Sequence, residues 1–197
     1  MTLAGLVLAA GSGSRFGAPK ALVRLSGELL VVRAVRLLRE GGCDPVVVVL
    51  GAAAKQVRTV LAGEQVVVAP DWETGMGASL RAGLAALAGG PAGACVVALV
   101  DQPLVGAAAV QRLDRAWRDG AVAAVATYDG APRNPVLLDR TTWPGVAALA
   151  RGDVGARPWL VAHPELVTAV PCGDTGSAFD IDTPADLERA RHRGGDG

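Results

Sequence analysis

The chain has 197 residues, 51% of them hydrophobic and 19% charged, so it is long enough to bury a substantial core and too apolar for a disordered chain. Nineteen basic residues balance nineteen acidic ones, which excludes a bulk electrostatic attraction to nucleic acid or to an anionic membrane and leaves any phosphate binding to local features. The 26 glycines and 12 prolines are scattered as punctuation, so one domain over residues 1–193 is expected, with a frayed tail at 194–197.

Leu3 to Leu8 reads as a first strand. No basic segment precedes it and a polar loop follows at once, so neither a signal peptide nor a spanning helix is expected, and the expected location is cytoplasmic. Leu29 to Glu40 reads as a helix closed by Gly41-Gly42, Val46 to Leu50 as a strand, Ala53 to Ala62 as a helix and Val66 to Ala69 as a short strand. Gly77 to Ala88 is a further helix, and Ala94 to Val100 is a strand too apolar for an exposed edge. Ala107 to Asp119 reads as a helix and Ala121 to Thr127 as a strand, followed by a turn into Pro135-Val136-Leu137-Leu138 that is compatible with an antiparallel pair. Trp143 to Arg151 and Val154 to Ala162 read as helices, Leu166 to Val170 and Ala178 to Ile181 as strands, and Pro184 to Arg193 as a closing helix with proline in its first turn. The expected fold is a single Rossmann-like α/β unit, a mostly parallel, mixed sheet flanked by helices. Cys43, Cys95 and Cys172 are isolated and odd in number, as expected of free thiols, and neither His163 nor His192 sits in a motif.

The most informative stretch joins the first strand to a loop: Leu8-Ala9-Ala10-Gly11-Ser12-Gly13-Ser14-Arg15-Phe16-Gly17-Ala18-Pro19-Lys20. Glycines let successive amides converge on phosphate oxygens, and Arg15 and Lys20 add mobile positive charge, so the loop points to phosphoryl or nucleotidyl transfer. It is not a Walker A loop, because no Ser or Thr follows the lysine. Nor is it a dinucleotide fingerprint: Phe16 stands where the third glycine belongs, and the strand at Val46 to Leu50 runs into Gly51-Ala52-Ala53 with no ribose-binding acid. An open α/β sheet binds ligands at the carboxyl ends of its strands, where Asp101 follows a buried strand. A carboxylate there can hold Mg²⁺, with Asp180 and Asp182 completing the shell; Asp182-Thr183-Pro184 reads equally as a helix start, and both roles can coexist.

This loop and five further blocks in the same order resemble the MobA-like nucleotidyltransferases, most closely the molybdenum cofactor cytidylyltransferases. The blocks are Gly75-Met76-Gly77-Ala78-Ser79-Leu80, Asp101-Gln102-Pro103, Asn134-Pro135-Val136-Leu137-Leu138, Gly152-Asp153-Val154-Gly155-Ala156-Arg157 and Asp180 to Leu187. The resemblance implies a fold of the nucleotide-diphospho-sugar transferase type and Mg²⁺-dependent transfer of CMP from CTP to the terminal phosphate of a molybdopterin-type cofactor, with pyrophosphate released. It implies that Ala9, Ala10, Gly11, Ser12, Gly13, Gly77 and Ser79 bind the nucleotide. Arg15, Lys20 and Asp101 serve catalysis, Asp182 is the better match to a second metal ligand than Asp180, and Asn134, Asp153 and Arg157 face the acceptor. Relatives often carry His where Asn134 stands. A small residue at Ala10 leans toward CTP, since a Gly-Gly pair accompanies the guanylyltransferases. A molybdoenzyme or its chaperone is the implied receiving partner. The alternatives are a guanylyl or sugar-phosphate nucleotidyltransferase, an oxidoreductase-named relative, and a nucleotide-binding regulator without catalysis.

Overall fold

The computed structural model describes residues 2–14, 16–61 and 63–194. In chain order the elements are β1 (Thr2–Ala9), the two-residue strands β2 (Arg24–Leu25) and β3 (Glu28–Leu29), α1 (Leu30–Glu40), β4 (Val46–Leu50), α2 (Ala54–Val60), β5 (Gln65–Val68) and α3 (Met76–Ala88). They continue with β6 (Ala92–Leu99), α4 (Ala107–Arg118), β7 (Ala123–Tyr128), β8 (Ala131–Asp139), α5 (Trp143–Leu149), α6 (Arg157–Ala162), β9 (Val167–Pro171) and α7 (Pro184–Gly194). Seven strands form one sheet in the order β5-β4-β1-β6-β8-β7-β9, and β2 pairs with β3 in a separate ribbon. Every pairing in the large sheet is parallel except the two made by β8, so the mixed, mostly parallel sheet expected of the sequence is what forms.

Both faces of the sheet are covered, which explains why its central strands are unbroken apolar runs rather than alternating ones. Val46 to Leu50 of β4 are all buried. Along β1, Leu3, Val7 and Ala9 face α1, while Ala4, Leu6 and Leu8 face α3. Helix α1 answers with Leu30, Val31, Ala34, Val35, Leu37 and Leu38, a stripe at helical spacing, and α3 with Leu80, Leu84 and Leu87. The three cysteines are buried in these cores as free thiols, and burial raises the Cys43 thiol to about 12, so packing is their role.

Strand β8 is the one element that runs against the others, and it carries a proline inside a sheet. Its register slips beside Val125 and Ala126 of β7, so Pro135 falls at an irregularity where no ladder donor is required. The register that pairs Val97 with Val136 brings Asn134 level with the carboxyl end of β6.

Two expectations are corrected. The helix expected from Val154 begins at Arg157, because Pro158 has to sit in the first turn, where its missing N–H is harmless. The strand expected at Ala178 to Ile181 does not join the sheet. Its stretch crosses the carboxyl edge and bonds instead to the loop after β6, through Ser177 N–H to Leu104 O and Ile181 N–H to Asp101 O, 2.9 Å each. Of the expected frayed tail, Gly194 closes α7 and 195–197 lie outside the described residues.

Helix α7 starts at a reciprocal cap. The Asp186 carboxylate accepts from Thr183 N–H (2.8 Å) and Thr183 Oγ1 (2.7 Å), and Asp186 N–H points back to Thr183 Oγ1. These bonds hold the Asp186 carboxyl below the usual range. Thr183, not Asp182, thus starts the helix. Thr183→Ala is expected to cost about 1 kcal/mol in chemical denaturation, with the metal dependence of any activity unchanged. Among the described residues no helix is long and apolar enough to cross a membrane.

Candidate active site

From β1 the chain moves to β4 and β5 on one side, then returns to the other side of β1 at β6. The order of strands therefore reverses between β1 and β6, and a crevice opens there at their carboxyl ends. A cleft of about 530 Å³ occupies that position. Its floor is Leu8, next to last in β1, with Leu99, the last residue of β6, and Val100 after it.

One rim is the glycine loop, where Ala10, Gly11, Ser12, Gly13 and Ser14 line the cleft. Gly13 carbonyl oxygen accepts from the amides of Phe16 and Gly17 (2.8 and 2.9 Å), which curls the loop back over the strand end. Arg15 lies outside the described residues. Ala9 does not line the cleft: its methyl group is the last core residue of β1.

The loop delivers Lys20 to the floor. Its Nζ donates to Asp101 Oδ2 at 2.8 Å and to Asp182 Oδ1 at 2.6 Å, with only 17% of the side chain exposed. Three residues from the start, middle and end of the chain thus share one point. Burial by itself lowers the pKa of the Lys20 ammonium, but Asp101 and then Asp182 outweigh it and hold the group above its ordinary value.

Asp180 makes no hydrogen bond to Lys20. Its Oδ1 accepts from the Gln102 side-chain amide at 2.8 Å, and it is not part of the cleft lining. Partial desolvation raises its carboxyl above the usual range, Asp101 and Asp182 add like charge, and the Gln102 bond acts in the other direction.

The residues suit a hard cation to the extent that two carboxylates, Asp101 and Asp182, already converge on one positive charge, the Lys20 ammonium. Among the described residues no three His, Cys, Asp or Glu side chains gather into a closed cage. An ion held here would therefore draw its remaining oxygens from phosphate and water, which is the usual habit of Mg²⁺.

The opposite rim comes from the 3-10 turn at Trp72–Thr74 and the start of α3. Trp72, Glu73, Gly75, Met76 and Ser79 line it. Gly75 sits at φ +113°, and a methyl group there would meet Gly152 backbone and come within 2.6 Å of Asp153 Oδ1. A methyl group on Gly77 would lie 2.7 Å from the Ala150 carbonyl carbon, and Gly77 N–H donates to Gly152 O at 2.8 Å. The Gly-Met-Gly sequence thus lets α3 abut the 150–153 loop and brings Asp153 into the cleft wall. Gly77 acts from behind that wall, without lining the cleft. Gly75→Ala is expected to cost about 1–3 kcal/mol, from left-handed strain plus the collision, and to weaken nucleotide binding; denaturant melts and nucleotide titration check it.

The structure gathers Ala10, Gly11, Ser12, Gly13, Lys20, Ser79, Asp101, Asp153 and Asp182 around one cleft. Asn134, half-buried in β8, and Arg157, exposed at the start of α6, are outside its lining. Trp72 and Glu73 belong to the cleft and escaped sequence reasoning; an aromatic and an acid three and two residues before Gly75 were the available signal.

Residues 5–167 match the family described as MobA-like NTP transferase domain. The chain is 40% identical to nicotine blue oxidoreductase of Paenarthrobacter nicotinovorans, over 94% of each protein. It is 45% identical to a protein of Opitutus terrae named "Probable molybdenum cofactor guanylyltransferase", over 97% of this chain and 96% of that one. The crystal structure of Rv0371c from Mycobacterium tuberculosis superposes with a TM-score of 0.84 at 31% identity over 98% of both chains. A second structure of that protein is a complex with manganese, at TM-score 0.80 and 29% identity over 98% of this chain and 99% of that one. The match covers most of the chain, and the chain belongs to the MobA-like NTP transferase family.

Proposed function

We propose that this chain transfers a nucleotidyl group from a nucleoside triphosphate, GTP before CTP, to the terminal phosphate of a molybdopterin-type acceptor and releases pyrophosphate. The observation that carries it is Lys20 held between Asp101 and Asp182 at the floor of a cleft walled by a glycine loop. In this reading the amides of Gly11 to Ser14 bind the triphosphate, with Arg15 adding charge. Lys20 leaves the two carboxylates to donate to phosphate oxygens, and Asp101 and Asp182 hold a divalent cation, Mg²⁺ or Mn²⁺. Bound there, the cation neutralises phosphate charge as it accumulates. The acceptor phosphate is anionic near neutral pH and attacks the α-phosphorus in line, so the chain need supply no general base. Asp180 is a tether rather than a ligand, and Asn134 and Arg157 orient the acceptor from beyond the cleft.

GTP replaces the CTP favoured by Ala10 for two reasons. A relative 45% identical to this chain bears a guanylyltransferase name. The wall beside Gly75 also carries two carboxylates, Glu73 and Asp153, which suit the N1–H and N2–H donors of guanine better than the acceptor edge of cytosine. Initial rates of pyrophosphate release with each triphosphate and one molybdopterin preparation test the choice. GTP is expected to exceed CTP by about 10- to 100-fold, the worth of one bidentate contact to a base edge; CTP ahead of GTP would restore the cytidylyl reading.

A second reading, an oxidoreductase, is supported by the relative of that name at 40% identity. Oxidation of NADH or NADPH by the purified chain in the presence of nicotine blue would favour it. Pyrophosphate release without such oxidation favours transfer.

A further inference from the structure

The stretch that carries the second carboxylate of the cleft is not anchored by the sheet. Gly176 bridges to Val105, Ser177 N–H donates to Leu104 O, and Ile181 N–H donates to Asp101 O. Side chains add three bonds: Gln102 Nε2 to Asp180 Oδ1 at 2.8 Å, Lys20 Nζ to Asp182 Oδ1 at 2.6 Å, and Asp182 N–H to Asp186 Oδ2 at 3.2 Å. Gln102 is 5% exposed, and its other end, Oε1, is buried and accepts no hydrogen bond among the described residues.

A buried amide with one unsatisfied end costs stability, so folding alone does not explain a glutamine here; a leucine of similar volume would avoid the cost. What the amide does is hold Asp180, whose negative charge stands with those of Asp101 and Asp182 at the same edge. Lys20 offsets part of the repulsion among the three carboxylates, but it is also the group that a cation displaces; once it leaves, a stretch without the Gln102 donor lets Asp180 move outward and carry Asp182, two residues on, away from Asp101.

We propose that Gln102 is a positioning residue: its amide clamps Asp180 so that Asp182 stays beside Asp101, where the two together take a divalent cation. The inference rests on the metal reading given above and names the part of the chain that sets the spacing of the two ligands. It makes Asp180 a tether that needs only to accept a hydrogen bond.

The test titrates Mn²⁺ alone into the full, nucleotide-free chain and measures melting temperature beside it. Gln102→Leu is expected to keep or raise the melting temperature while weakening Mn²⁺ about tenfold, the scale of one lost hydrogen bond to a charged group. A purely structural glutamine would move the two quantities together, and unchanged Mn²⁺ affinity would overturn the clamp. Asp180→Asn keeps an acceptor and is expected to hold Mn²⁺ within about twofold of the wild type, since only the tether's charge is lost. Gln102→Glu is expected to weaken Mn²⁺ by placing two carboxylates together, and Gln102→Glu with Asp180→Asn to restore it. Loss of Mn²⁺ binding in Asp180→Asn, or failure of the double variant to recover, would make Asp180 a ligand and end the proposal. A wild-type chain that binds no Mn²⁺ would instead remove the metal reading on which the clamp rests.

Discussion

Lys20→Met is expected to lower pyrophosphate release at least about a hundredfold, the cost of removing one preorganised donor from charge that develops in the transition state. The same substitution is expected to tighten Mn²⁺ binding to the nucleotide-free chain. The two effects have opposite signs because the ammonium has two sets of partners. With no nucleotide, Lys20 sits 2.8 Å from Asp101 and 2.6 Å from Asp182 and competes with any cation for them. In the proposed reaction the ammonium would exchange the carboxylates for phosphate oxygens, leaving Asp101 and Asp182 to the cation. Calorimetric titration of Mn²⁺ together with a rate measurement checks both halves. Weaker Mn²⁺ binding in Lys20→Met would mean that lysine organises the carboxylates rather than competing for them. The folded pKa of Lys20 lies above its ordinary 10.5, so the stability from this pair is fully present below that value and is lost only as pH rises through the raised one. A pH-rate profile between about pH 6 and 9 should therefore show no inflection from Lys20.

Asp182→Asn is expected to reduce turnover by about two orders of magnitude or more while costing little stability, because a neutral amide is a poor substitute for a carboxylate at a hard cation. Stability is spared because Thr183 and Asp186 hold the start of α7 without the Asp182 side chain. Asp101→Asn should be at least as damaging, since its carboxylate makes the other contact to Lys20 and is the less exposed of the two. Metal-dependent rates and denaturation curves for both variants, set beside Thr183→Ala, separate the ligand role from the capping role. Full activity with an unshifted Mn²⁺ titration in Asp182→Asn would leave that residue only a neighbour of the helix start.

Much of this architecture is legible before any coordinates. β4 falls at Val46 to Leu50 as read from its β-branched run, and β1 and β6 within two residues, because strands buried on both faces are dense in valine and leucine. The ribbon of β2 and β3 is invisible to such a reading: two-residue strands show no alternation, although Ser26 and Gly27, both at positive φ, are the turn that joins them. Ala178 to Ile181 looks like a strand because three of its four residues are apolar, yet it forms no strand. Whether such a stretch enters a sheet depends on a free strand edge, which local sequence does not encode.

The site divides in the same way. Lys20, Asp101 and Asp182 stand in ordered blocks, so their meeting is readable from the resemblance. Trp72, Glu73 and Gln102 carry no motif of their own, and their positions follow from how α3 abuts the 150–153 loop and how the 176–182 stretch crosses the sheet. Asp153, read as an acceptor contact, reaches the wall beside Gly75 because two glycines let the backbones touch.

The central claim is that the α-phosphate of a nucleoside triphosphate is transferred at this cleft. The most direct measurement incubates the purified chain with Mg²⁺, molybdopterin and GTP labelled at the α-phosphorus, then follows the label. Nucleotidyl transfer predicts label in a pterin dinucleotide, an equal amount of unlabelled pyrophosphate, and loss of both in Lys20→Met. Label remaining in the intact triphosphate with both GTP and α-labelled CTP, or appearing in the diphosphate with release of inorganic phosphate, would contradict it.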